Sequence, residues 1–75
     1  MSANHPRVEI DPSVMMGKPV IRGTRVTVEQ ILRECARGAT AAEIASEYPR
    51  LTAEDVSAAL AFAADYLAHE IVAAE

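Results

Sequence analysis

Three threonines set the architecture of this chain. Thr27, Thr40 and Thr52 each stand three residues before a side chain able to reach back to them: Gln30, Glu43 and Asp55. At a helix start, the threonine oxygen accepts from the backbone N–H at the third helical position, and the side chain there returns the bond. An apolar pair flanks each box at staple spacing: Val26 with Ile31, Ala39 with Ile44, Leu51 with Val56. One such match arises readily by chance. Three in succession predict three helices, the third box being the weakest because aspartate is shorter than glutamate.

The ends follow from local chemistry. Helix one spans about 28–36 and closes at Gly38, where a left-handed residue ends a helix. Its inner face is Val28, Ile31, Leu32 and Cys35. Helix two spans about 41–47 and stops before Pro49, because a residue preceding proline avoids the helical region. Helix three begins near Ala53 and is drawn to about residue 70. Val56, Leu60, Ala63, Leu67 and Ile71 form one stripe along it, with Phe62 and Tyr66 beside it. Two short helices are too small to cover so wide a face, so a second contact surface is expected along the end of helix three. Short helix, tight turn and longer helix together have helix-turn-helix spacing.

The N-terminal third reads differently. Residues 1–6 look like a loose leader, followed by a single domain over 7–75. Arg7-Val8-Glu9-Ile10 alternates as a half-buried strand does, and Val20-Ile21-Arg22 is a β-branched run ended by Gly23. Asp11-Pro12-Ser13 and Met16-Gly17-Lys18-Pro19 are turn signals between them. Either a small hairpin with a long loop or two separate strands fits. The fold class is therefore mainly α: a three-helix helix-turn-helix preceded by short strands over 7–10 and 20–22.

Size adds a demand for company. A 75-residue chain buries only about 60% of its unfolded surface, and a single core this small contributes roughly 3–5 kcal/mol. Charge is unevenly placed. Residues 1–38 hold six basic side chains against four acids, while residues 39–75 hold Arg50 alone against seven. The halves are thus +2 and −6 within a net charge of −4. That asymmetry suggests two surfaces for two partners, against the plainer alternative of solvated helix faces. No stretch approaches the roughly 20 apolar residues of a membrane span. With no leader of the charged-then-apolar kind and Cys35 as the lone cysteine, a cytoplasmic location and no membrane association are expected.

The run Gly17-Lys18-Pro19-Val20-Ile21-Arg22-Gly23-Thr24-Arg25, followed by Gly38-Ala39-Thr40 and by Tyr48-Pro49-Arg50-Leu51-Thr52, closely resembles a small bacterial family. It is the domain-of-unknown-function family numbered 433, with its GKPxIxGTR opening and YPxLT turn, and the resemblance runs from residue 8 to about 66. The resemblance implies a homeodomain-like helix-turn-helix preceded by short strands. It also implies a gene often placed beside a small PIN-like nuclease, and hence a role as antitoxin of a type II toxin–antitoxin pair.

Candidate chemistry follows. Arg7, Lys18, Arg22, Thr24 and Arg25 cluster around Gly23 and form the candidate DNA-binding set, since arginine forks pair bidentately with phosphate oxygens. Ion pairing of Arg22 and Arg25 with Glu9 or Glu29 is the structural alternative, with Gly23 simply supplying a positive φ. If the first holds, alanine at Arg22 and Arg25 weakens operator binding in gel shifts across a salt series. Helix three opens on Glu54 and Asp55 and offers no Arg, Asn or Gln over 53–68, which argues against base reading by this helix. Phe62, Asp65, Tyr66, His69, Glu70 and Ile71 form the candidate partner-binding set: aromatic and aliphatic groups to bury, acids to meet basic residues beside a nuclease pocket. A homodimer contact competes with a toxin contact for the same stripe.

Catalysis has little to work with. His5 and His69 lie at opposite ends of the sequence, Asp65 and His69 alone make no metal site, and Cys35 is expected as a small buried hydrophobe. Met15 and Met16 are expected to anchor a loop. The chain is read as non-enzymatic, without cofactor or metal: an antitoxin that binds a PIN-like RNase toxin and acts on its own operon. Its rivals are a stand-alone regulator that binds its operator unaided, and a homodimeric interaction module with no nucleic-acid role.

Overall fold

The computed structural model describes residues 5–74, with side chains as far as residue 68. The element order is β1 (Val8–Glu9), a 3-10 turn (Met15–Gly17), β2 (Val20–Ile21), α1 (Val28–Ala36), α2 (Ala41–Glu47) and α3 (Ala53–Ala74). The two strands pair antiparallel, Val8 opposite Ile21 and Glu9 opposite Val20. They form the hairpin with a long loop. Each is shorter than its apolar pattern suggests, and α3 runs four residues past the expected end.

All three capping boxes are made. The Gln30 amide N–H donates to Thr27 Oγ1 at 3.0 Å, and Thr27 N–H returns to Gln30 Oε1 at 2.9 Å. The corresponding pair at Thr40 and Glu43 measures 3.1 and 2.8 Å. At the third box, Asp55 N–H donates to Thr52 Oγ1 at 3.2 Å and Thr52 N–H to Asp55 Oδ2 at 3.0 Å. Gly38, at φ +95°, closes α1: its N–H reaches the Cys35 carbonyl, and the Ala39 N–H reaches that of Glu34. This crossed pair satisfies carbonyls the helix end would leave bare.

The turn between α2 and α3 is equally local. Tyr48 is extended before Pro49, and the Leu51 N–H closes on the Tyr48 carbonyl at 2.8 Å. Proline at the second position of such a turn is already set to the required φ.

The core joins both ends of the chain. Val8 and Ile21 from the hairpin, Val28 and Ile31 from α1, Ile44 from α2, Leu51 from the turn, and Val56 and Ala59 from α3 form one buried cluster. Leu32, Cys35, Phe62 and Ala63 pack on its margin. Cys35 is thus half-buried, not enclosed.

The apolar stripe of α3 is covered only in part: Leu60 and Leu67 are 41% and 52% exposed, while Ala59 is fully buried. The helices α1 and α2 have nine and seven residues against twenty-two for α3. At about 1.5 Å per residue they span roughly 14 and 10 Å beside a rod of roughly 33 Å. They approach it where Ala59 is small, and they run out before Leu67. Contrary to expectation, Met15 and Met16 do not anchor their loop: Met16 is 88% exposed, and both carry positive φ. The loop is held instead by its backbone, with Gly17 N–H on the Val14 carbonyl and Lys18 N–H on that of Met15.

Candidate functional site

The cations of the N-terminal segment are brought near the hairpin, but most arrive with partners. Arg7 forks across the start of α3: Nη1 donates to Asp55 Oδ1 at 3.0 Å and Nη2 to Glu54 Oε1 at 2.9 Å. Lys18 pairs with Glu29 at 3.1 Å, and Glu29 also takes Arg33 one helical turn on. These two cations hold the Glu29 carboxyl below the usual carboxylate range, the Lys18 hydrogen bond contributing most. Arg22 donates through Nε to the Pro6 carbonyl at 2.7 Å and lies 3.5 Å from Glu9. The Thr24 hydroxyl donates to the Ile21 carbonyl and accepts from Val26 N–H. It closes a turn in which Gly23 sits at φ +81°, a conformation other residues rarely adopt. Four of the five candidate phosphate contacts therefore hold the hairpin and its join to the helices. Among the described residues, Arg25 has no such partner.

The end of α3 is the other candidate. Phe62 is half-buried against the core, and Tyr66, 59% exposed, stacks on it with centroids 6.4 Å apart. His5 meets Phe62 edge-on at 5.6 Å and places Nε2 2.8 Å from Asp65 Oδ2. The segment read as a loose leader is thus tied to α3 at His5, and Asp65 serves that tie; its pairing with His69 falls on a side chain outside those described. The side chains of His69, Glu70 and Ile71 also lie outside the described residues, although their backbone continues α3. Leu60, Tyr66 and Leu67 leave a run of uncovered apolar surface on the same helix.

The exposure of Leu67 near the end of α3 agrees with the second contact surface expected there, while that of Leu60, nearer the bundle, escaped the sequence reading because periodicity gives a face and not the length of what covers it. Arg50 escaped it too. It is exposed in the turn between α2 and α3, and no hydrogen bond or ion pair holds it among the described residues. Its signal was its isolation as the lone cation of an acidic half. Among the described residues, no three His, Cys, Asp or Glu side chains gather as a metal set, and no helix is long and apolar enough to cross a membrane.

Comparison with known proteins agrees on one family. A family model described as "Protein of unknown function (DUF433)" matches residues 8–63. A crystal structure of a DUF433 member protein from Anabaena variabilis superposes with a TM-score of 0.72 at 35% identity, covering 88% of this chain and 68% of that one. No curated protein matches the chain.

Proposed function

The chain belongs to the DUF433 family, and we propose that it serves as the antitoxin of a type II toxin–antitoxin pair, covering a PIN-like RNase with the free end of α3. The observation that carries this reading is the uncovered run of Leu60, Tyr66 and Leu67 on a helix that outreaches its own bundle. Apolar surface of this kind is stabilised only when something buries it. Acids accompany it: the half of α3 beyond Leu60 carries Asp65 and Glu70 and no Lys or Arg. That charge suits a partner whose basic residues would otherwise hold RNA.

DNA reading fits the same geometry less well. Arg7, Lys18 and Arg22 already neutralise carboxylates, and Glu54 and Asp55 open the helix that would enter the major groove.

Co-expression with the product of the adjacent reading frame tests the proposal. A stable co-purifying complex, with rescue of growth when that product is induced, is the expected result. Autonomous operator binding without such a complex would replace the antitoxin by a regulator. A homodimer indifferent to the neighbouring product would replace it by a self-associating module.

A further inference from the structure

A second surface lies at the opposite end of α3 from its uncovered stripe. A groove of about 520 Å³ opens between the Gly23-Thr24-Arg25 turn and the Tyr48-Pro49-Arg50 turn. Val14, Val20, Val26 and Pro49 line its walls. Arg25 and Arg50 stand on it as well, one from each turn.

These two are set apart by the pairing of all the others. The chain has seven Lys and Arg residues. Arg7, Lys18, Arg22, Arg33 and Arg37 each lie within 3.5 Å of a carboxylate oxygen. Arg25 and Arg50 alone have no hydrogen bond or ion pair among the described residues, and both face one groove. Glu9, the one acid lining it, already pairs with Arg22. The groove is therefore lined by two arginines with no ion pair among the described residues, beside apolar side chains.

We infer that this groove binds a segment of a partner protein in which an aliphatic side chain adjoins a carboxylate. The guanidinium fork matches a carboxylate bidentately, and the walls take the aliphatic group. A polyanion suits it less. Nucleic-acid affinity is built from many phosphate contacts and long-range attraction, whereas this chain offers two free cations within a net charge of −4. The site is separate from the uncovered face of α3 and stands whether or not the antitoxin reading does.

Titration of the isotopically labelled full chain, followed by NMR, tests this. The probes are acetyl-Gly-Leu-Asp-Leu-Gly-amide, its asparagine counterpart, and an oligothymidylate. The aspartate peptide is expected to move the Arg25 and Arg50 Nε–H resonances and the Val26 and Tyr48 amides at millimolar concentration. R25A and R50A are each expected to weaken it about tenfold, as the loss of a charge-assisted hydrogen bond does, and R50K to weaken it as well because lysine lacks the fork. R33A, on α1 away from the groove, should leave it unchanged. Both groove arginines are exposed, so unchanged thermal melts will show that the variants remain folded. Three outcomes each overturn the proposal: no shifts with the aspartate peptide, equal shifts with the asparagine peptide, or tighter binding of the oligothymidylate at the same residues.

Discussion

Asp55 joins the N-terminal segment to the start of α3 while capping that helix. One oxygen caps α3 through Thr52 N–H and the other receives Arg7, forty-eight positions away in sequence. The residue is 7% exposed, so these donors stand in for the water its carboxylate oxygens would otherwise meet. Asp55→Ala should lower stability by about 2 kcal/mol, the sum of a lost cap and a lost charged hydrogen bond, measured by urea unfolding. Arg7→Ala should lower it by less, since Arg7 is about half exposed and the cap survives. The cap was legible from the Thr52–Asp55 spacing, but the ion pair was not, because nothing local in a sequence links a strand residue to a helix start so distant. The same gap explains Arg7 and Lys18, whose carboxylates come from elsewhere in the fold, whereas the pairing of Arg22 with Glu9 was one of the alternatives the sequence offered. Gly38 offers a purely conformational test. A Cβ there would meet nothing within 4 Å, yet φ is +95°. Gly38→Ala should therefore cost about 1–2 kcal/mol through backbone strain alone.

At the scale of elements, the helices are specified by their ends. The boundaries of α1 and α2 coincide with those drawn from Thr27, Gly38, Thr40 and Pro49, because caps and breakers act within a turn of the chain. Thr27→Ala and Thr40→Ala should each destabilise by about 1 kcal/mol. Glu29 adds an electrostatic tie between the loop before β2 and α1, through Lys18 and Arg33. Its carboxyl sits below the usual carboxylate range. That stability is fully present above the unfolded value and disappears as pH falls through the lower folded one. Wild type should thus exceed Glu29→Gln in thermal stability at neutral pH, and the difference should vanish in acid. The inner face of α3 was only partly legible. Val56 and Ala63 face the core as their stripe indicated, but Leu60, set on the same stripe by its spacing, is exposed. The core takes Ala59 instead, where a small side chain lets the neighbouring helices approach.

At the scale of the whole molecule, the mismatch of lengths decides the function proposed. A long helix over two short ones leaves Leu60, Tyr66 and Leu67 exposed among the described residues, and these are the apolar residues a partner would bury. Leu60 and Leu67 are exposed enough that Leu60→Asp with Leu67→Asp should leave the fold intact while altering that surface. Returning both leucines to water in a complex would forfeit about 2–3 kcal/mol at ~25 cal/mol per Å² of apolar area, with charge burial added. The most direct measurement is the dissociation constant of the full chain with the protein encoded beside it, compared with that of the doubly substituted chain. A tight complex weakened at least about thirtyfold by the two aspartates is predicted, from the free-energy difference just given. A complex of unchanged affinity, or none with the unaltered chain, would contradict the account.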